Sequence, residues 1–456
     1  MAGKKYEIDM TTGTLLSKIF LFALPLMASS MLQLVFNAAD TIVVGRFAGA
    51  TALAAVGATG SLINLLINMF LGLSVGTNVL MARYYGSRNN EKMNEVVHTS
   101  ILLSILVGVV LVFVGIIVAR PVLTAMGTPS DCLDQAVLYM RIYFMAMPIV
   151  CLYNFGSSIL RAVGDTRRPL YYLAAAGVVN VGLNLVFVIV FGMGVAGVAL
   201  ATDISQCLSA FLVLRCLIKT DEGYKLEIKK LRIVKDEAAK IFKIGVPAGV
   251  QGMLFSISNI LIQSSINSFG SLAVAGNTAG SNVEFFVYFS MNAFSQASLS
   301  FSSQNYGAGK IKRVNRVLID CQILSAAFGV GLGLLALHFG DMLLGLYTDD
   351  PEVIQYGLVR MGVILTTYCT CGMMDIMSNQ LRAVGFSITP VIICVVGVCG
   401  FRILWLYTVF AQNRTLDTLY YSYPISWTIT MLAEFFVYLA FMIKLKKSGR
   451  MNFGTE

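Results

Sequence analysis

LLSKIFLFALPLMASSMLQLVFNAADTIVVGRF, Leu15–Phe47, is the stretch that decides the fold. Roughly 20 apolar residues suffice for a helix to cross a bilayer, and this run exceeds that length while holding a single carboxylate, Asp40, well inside it. Gln33, Asn37 and Asp40 recur at spacings of four and three, which puts them on one helix face. An Asp at the centre of a membrane helix costs roughly 2.5–3.5 kcal/mol on insertion scales, so that face is expected to turn toward a bundle interior, a cavity or an ion. The bland alternatives are a fixed salt bridge or a position near the outer interface.

The rest of the chain repeats the apolar part of this pattern. Of 456 residues, 57% are hydrophobic and 12% charged, against about 25% charged in soluble domains. An all-α polytopic membrane protein is predicted. Further spans are expected at about 53–81, 96–119, 136–160, 170–190, 194–217, 241–266, 275–301, 317–340, 355–381, 388–410 and 423–444. Punctuation such as Ala119-Arg120-Pro121, Gly127-Thr128-Pro129 and Asp349-Asp350-Pro351 ends several of them. Twelve spans put both termini on one side. The net charge of +9 suggests nucleic acid in a soluble chain, but here the basic residues lie between apolar segments and read as topology signals. All but Arg46, Arg120, Arg141, Arg360, Arg402 and Arg414 fall on the side of the termini, Lys4, Lys5 and Arg450 among them. By the positive-inside rule that side is cytoplasmic, in a multi-pass protein of the cell inner (plasma) membrane.

A repeat is visible within the chain. LeuArgAlaValGly at 160–164 recurs at 381–385, TyrGly at 85–86 recurs at 306–307 with the same offset, and Pro25 is answered by Pro247 within one residue of it. Six spans per half is an even number, so both halves enter from the same side as parallel repeats, with a cavity expected between two pseudo-symmetric six-helix bundles. The expected partition is 1–217, a charged linker 218–240 that rests on the inner surface, and 241–456. The nine cysteines show no paired spacing; Cys151, Cys207, Cys321 and Cys394 fall inside apolar runs and read as buried thiols. His98 and His338 are isolated, and no cleavable signal peptide is evident.

Polar positions inside the spans carry the functional reading. Asn64 and Asn68 are four apart in the second span, Asn180 and Asn184 in the fifth, and Thr202 and Asp203 fall near the middle of the sixth. One such amide pair only joins helices. Several in the same half as Asp40 read as a hydrated cation site, where carboxylate, amide and hydroxyl oxygens replace water around Na⁺ or organise a protonatable acid. Asp203 points about 100° away from Thr202 and reads as a second protonatable group, as a partner of a basic residue such as Arg141, or as an acid at the outer interface. In the second half, Glu284, Asp375 and Glu434 are ambiguous acids. Asp375 lies two turns before Arg382, which offers it a local pairing. Phe285, Phe286, Tyr288 and Met291 beside Glu284 are candidates to hold a flat organic cation, or they are packing residues. The substrate-cavity candidates are Gln33, Asn37, Asn68, Glu284, Met291 and Asp375.

With these residues in hand the chain resembles the MATE (multidrug and toxic compound extrusion) family. The resemblance runs from AlaLeuPro at 23–25 through the twelfth span, and is carried by AsnAlaAlaAspThrIleValValGly at 37–45, the two LeuArgAlaValGly segments and GlyValAlaGlyValAlaLeuAlaThr at 194–202. It implies twelve helices in two bundles and export of small organic cations in exchange for H⁺ or Na⁺. The coupling acid maps onto Asp40, with Asn180, Asn184 and Thr202 as its neighbours and as a possible Na⁺ set. Many relatives have Asp where Asn184 stands, and Asp203 is a candidate to restore that charge. The expected protein is not an enzyme and has no cofactor beyond the coupling ion. Its partners are the bilayer and the substrate, with no nucleic acid and no obligatory protein. A flippase or exporter of a lipid-linked or anionic metabolite is the transporter alternative, favoured by an Arg-dominated cavity. An ATP-driven pump is disfavoured, since no GxxxxGK[ST] motif occurs.

Overall fold

A computed structural model describes residues 6–448; Lys4, Lys5 and Arg450 of the basic set lie outside them. The chain is helical from end to end, with no strand among the described residues. Helix α1 (Leu15–Val43) runs on through a π-helical turn at Val44–Ala48 into α2 (Ala50–Gly86), α3 (Asn90–Ala125), α4 (Ser130–Met145), α5 (Met147–Ala162) and α6 (Arg167–Leu185). A second π turn, Val186–Val190, precedes α7 (Gly194–Lys219), and a 3₁₀ turn at Ile228–Lys230 precedes α8 (Lys235–Asn267). Then come α9 (Ser271–Gly307), α10 (Ile311–His338), α11 (Gly340–Gly345), α12 (Pro351–Thr367) and α13 (Cys369–Val384). Helix α14 (Thr389–Cys394) passes through a third π stretch, Val395–Gly400, to α15 (Phe401–Tyr407) and α16 (Val409–Gln412), and α17 (Leu416–Lys447) closes the described chain.

Nine of these helical runs are long and apolar enough to cross a membrane, and two pairs bent at a single break, α4 with α5 (48°) and α12 with α13 (47°), bring the number to eleven. Helix α9 completes the twelve: its 37 residues span a bilayer easily. Its serines and amides lower its hydropathy, yet Ser295, Ser298, Ser300, Ser302 and Ser303 are all buried, so protein and not lipid receives that polar face.

The repeat seen in the sequence is repeated in backbone geometry. Gly49 and Gly270, immediately before α2 and α9, adopt nearly the same φ and ψ (92°, 171° and 94°, 173°). After those helices, Gly309 has φ +73° and its counterpart in the first half is Arg88, at φ +56° the only non-glycine with positive φ among the described residues. The left-handed turn therefore survives in the first half although its glycine has gone, a conformation that costs an L-residue about 1–2 kcal/mol.

The chain divides into two compact units. One takes the described residues up to Asp9 and Ala28–Gly249; the other takes Met10–Met27 and the chain from Val250 onward. The divisions fall inside α1 and α8, two residues beyond Pro25 and Pro247, where a missing N–H interrupts the helix ladder. They do not fall in the 218–240 joint read from the sequence. The reason lies in the first unit's packing, where Gly72 and Gly76 of α2 face Gly245 and Gly249 of α8. A Cβ on Gly72 would sit 2.1 Å from the Gly249 nitrogen, and one on Gly76 would sit 2.4 Å from the Ile241 carbonyl oxygen. Small residues at this spacing let two helix backbones touch, which holds the opening turns of α8 to the first unit.

The linker is docked, not merely resting on a surface. His98 Nδ1 bonds the Asn94 carbonyl (2.7 Å) while the backbone N–H of Glu227 donates to Nε2 (3.1 Å). Tyr224 is fully buried and donates to Glu7 Oε1 (2.5 Å). Of the cysteines read as buried, Cys151, Cys321 and Cys394 are so, whereas Cys207 is exposed: its position on α7 faces outward, where an apolar thiol is as acceptable as any side chain in contact with lipid.

Candidate functional site

Asp40 lies on α1 one turn before the π segment that ends it, and Asn184 lies just before the π turn that follows α6. Such wide turns recur at functional sites because they release backbone groups from the regular ladder. The two helices meet where Phe36 lies over Gly177; a Cβ there would come within 1.8 Å of the ring. Since Phe36 precedes Asp40 by one turn and Gly177 precedes Asn180 by three residues, this contact fixes the register of acid against amides.

The polar groups form one chain. Asn184 Nδ2 donates to Asp40 Oδ1 in a short hydrogen bond and to Asn180 Oδ1 at 3.3 Å. Asn180 Nδ2 donates to Thr202 Oγ1 (3.3 Å), whose hydroxyl in turn donates to the Val198 carbonyl (3.0 Å). Asn180 and Asn184 are buried; Asp40 and Thr202 are half-buried. Asn184 Oδ1 is buried with no partner among the described residues. An acceptor left so is costly, on the order of 1–3 kcal/mol, unless a cation or a proton donor completes it. Carboxylate, two amide oxygens and a hydroxyl make an all-oxygen set suited to a hard cation such as Na⁺, and its single formal charge also suits one proton.

The other residues read from the sequence fall in different places. Gln33, Asn37, Asn64 and Asn68 are exposed, and their side chains have no hydrogen-bond partner among the described residues. Hydrocarbon cannot satisfy an amide, which argues against a lipid-facing position for these side chains. Asp203 is half-buried and makes no ion pair, with Arg141 or otherwise, among the described residues. It stays outside the hydrogen-bonded chain, yet it shares two electrostatic neighbours with Asp40: Tyr139 and Tyr143 of α4, whose rings stack at 6.2 Å. Neither tyrosine was singled out from the sequence. Their four-residue spacing, on either side of Arg141, was the available signal.

In the second unit Glu284 is closed off. It is buried and held by Arg360 through two bonds, Nε to Oε1 (2.9 Å) and Nη2 to Oε2 (2.7 Å), while Arg360 Nη1 donates to Asn277 Oδ1 (2.6 Å). Glu284, an ambiguous acid in the sequence and a candidate for the substrate cavity, is thus engaged by a guanidinium of another helix. Met291 is fully buried, its sulfur wedged against Gly329 and Gly372, which makes it core and not cavity wall. Phe285 and Phe286 are exposed. Asp375 accepts from the Tyr288 hydroxyl (3.3 Å). Arg382, its expected partner, donates instead to Asn379 Oδ1 (2.7 Å) and Gln251 Oε1. Glu434 accepts from Ser378 Oγ (2.6 Å) and is fully buried.

Comparison with known proteins bears on the family and the fold. The MatE family model matches the chain twice, over 25–186 and 247–408, so that residue 247 answers residue 25 and residue 408 answers residue 186. The chain is 30% identical over 442 residues to the probable multidrug resistance protein YoeA of Bacillus subtilis, covering 94% of this chain and 95% of that one. It is 25% identical to the FAD transporter of Shewanella oneidensis, covering 79% and 80%. The outward-facing structure of a multidrug resistance MATE family transporter of the MOP superfamily superposes with a TM-score of 0.89 at 20% identity, over 96% of this chain and 98% of that one. That last likeness concerns the fold.

Proposed function

Because this chain belongs to the MatE family of membrane transporters, we propose that it is a cation-coupled antiporter that exports organic cations or drugs from the cytoplasm by alternating access. Inward H⁺ or Na⁺ supplies the work. The observation that carries the reading is the oxygen set around Asp40, with one acceptor, Asn184 Oδ1, buried and unfilled. Asp40 supplies the charge, Asn184 and Asn180 relay it, and Thr202 anchors the far end. An ion entering here displaces the Asn184 amide hydrogen from the carboxylate and fills the orphan oxygen. It changes the relative stability of two transporter states only to the extent that its affinity differs between them. When transport is electrogenic, each charge moved down the membrane potential contributes roughly 2.3 kcal/mol per 100 mV. Asp203, near the same tyrosines, is a second titratable group on the ion's path.

In this reading the moving bodies are the two compact units, divided just beyond Pro25 in α1 and Pro247 in α8. The chain acts in the inner (plasma) membrane with both termini cytoplasmic, as its basic segments favour, and it needs no protein partner. The exposed amides Gln33, Asn37 and Asn68 wet the substrate's route. The test is efflux of a small cationic dye from reconstituted vesicles under separately imposed pH and Na⁺ gradients. Efflux is expected to follow one gradient and to lose that dependence in Asp40→Asn; efflux indifferent to both gradients, or an unaltered Asp40→Asn, refutes the coupling scheme. A second reading, export of an anionic metabolite, draws on the relative named for FAD, a diphosphate. It predicts transport of that class with the cationic dye excluded.

A further inference from the structure

In the second unit the buried Glu284 is neutralised by Arg360. Arg402, more deeply buried than either Arg360 or Arg382, meets no carboxylate among the described residues. Arg402 of α15 is 2% exposed, and its bonds all go to neutral acceptors: Nε to Ser426 Oγ (3.2 Å), Nη1 to Ser258 Oγ (3.3 Å) and to Asn259 Oδ1 (3.0 Å). It makes no salt bridge among the described residues, and Nη2 has no acceptor there. The Tyr423 ring lies 4.2 Å from the guanidinium carbon and Trp427 lies 6.0 Å away. Tyr423 also lies 5.7 Å from the Arg360 guanidinium carbon, so two like-charged groups share that ring. Aromatic faces soften a cation's burial but do not neutralise it, and an uncompensated charge inside a membrane protein marks a functional position by default. The Asn259 amide that holds Nη1 is itself exposed, so the cluster reaches the surface of its unit. A guanidinium fixed along one side by neutral oxygens, with one amino group left over and aromatic rings at its face, is a receptor for a carboxylate attached to a flat ring.

We infer that Arg402, with Tyr423, Trp427 and Asn259, is an anion subsite that selects, among the exported aromatic compounds, those bearing a carboxylate. The inference rests on the organic-ion export reading above and narrows its substrate class. The test uses two rhodamine dyes that share one xanthylium cation, one with a free carboxylate and the other its ethyl ester. Binding to the purified full-length protein is followed by fluorescence polarisation, without any gradient. The wild type is expected to bind the carboxylate dye about tenfold more tightly than the ester. Arg402→Gln should erase that preference and leave the ester within twofold, and Arg402→Lys should keep part of it. Equal affinity for the two dyes in the wild type, or an equal loss of both in Arg402→Gln, overturns the subsite. Should the variant not fold, competition in the wild type decides: benzoate displaces the carboxylate dye and benzamide does not, whereas displacement by chloride as readily as by benzoate refutes recognition of a carboxylate. Gradient-driven efflux of the ester reports on ion coupling alone, so failure of the export reading and failure of the subsite are told apart.

Discussion

Replacing Gly177 by Ala tests whether the register of α1 against α6 builds the ion site. The added Cβ would lie 1.8 Å from Phe36 Cε2, 2.0 Å from Cζ and 2.4 Å from Cδ2, where carbon atoms normally rest about 3.5–4.0 Å apart. The ring must retreat by roughly 1.5 Å or more. Overpacking of this kind costs about 1–3 kcal/mol, and the relief falls on α1 one turn before Asp40, the residue whose bond to Asn184 closes the cluster. If that strain appears as lost ion affinity, the coupling ion needed for half-maximal efflux rises on the order of 10- to 100-fold, at 1.4 kcal/mol per decade. Phe36→Leu shortens the offending side chain, so the double variant should return to within about threefold of wild type. The assay is dye efflux from proteoliposomes as a function of the driving ion, with a melting curve on the same preparation. A variant that melts earlier yet keeps the wild-type ion dependence refutes the register argument, because strain would then have been absorbed without touching the site.

Two further substitutions separate structure from coupling. Glu284→Gln leaves the buried Arg360 without its counter-charge, a loss of about 3–5 kcal/mol for such pairs; melting by thermal scan should fall markedly while the ion dependence of efflux stays unchanged, and Glu284→Gln with Arg360→Met should recover part of the loss. Asp165, in the turn after α5 outside the spans, is buried, and burial pushes its carboxyl from 3.8 to about 6 even with Arg168 at 2.6 Å. The folded state therefore holds more protons than the unfolded one between those values, so stability through this group grows as pH falls across that window. The melting temperature of the wild type minus that of Asp165→Asn should become more positive from pH 7 to pH 5, and a difference that stays flat or moves the other way contradicts the assignment.

Much of the site was legible because its signal is local. Asp40 stands alone in an apolar run, and Asn180 with Asn184 declares one helix face by spacing, so the cluster could be proposed before its bonds were seen. Glu284 looked the same in one dimension, an acid within a span with aromatic neighbours. What separates the two is a cation in α12, 76 residues away along the chain, and no window of sequence carries that fact. The same limit hid the pairing of α2 with the opening of α8: Gly72, Gly76, Gly245 and Gly249 matter only once their backbones are side by side. The span read at about 275–301 is α9 (Ser271–Gly307) even though serines lower its hydropathy, because those serines are buried against protein. The unpaired charges are what remains after such remote matches have been made. Asp40 keeps only an amide, and Arg402 keeps only hydroxyls, an amide and rings. Neither meets a side chain of opposite formal charge among the described residues, and one is an acid while the other is a base. The coupling ion of a cation antiporter accounts for the first of these residues but not for the second, which a carboxylate on the cargo accounts for.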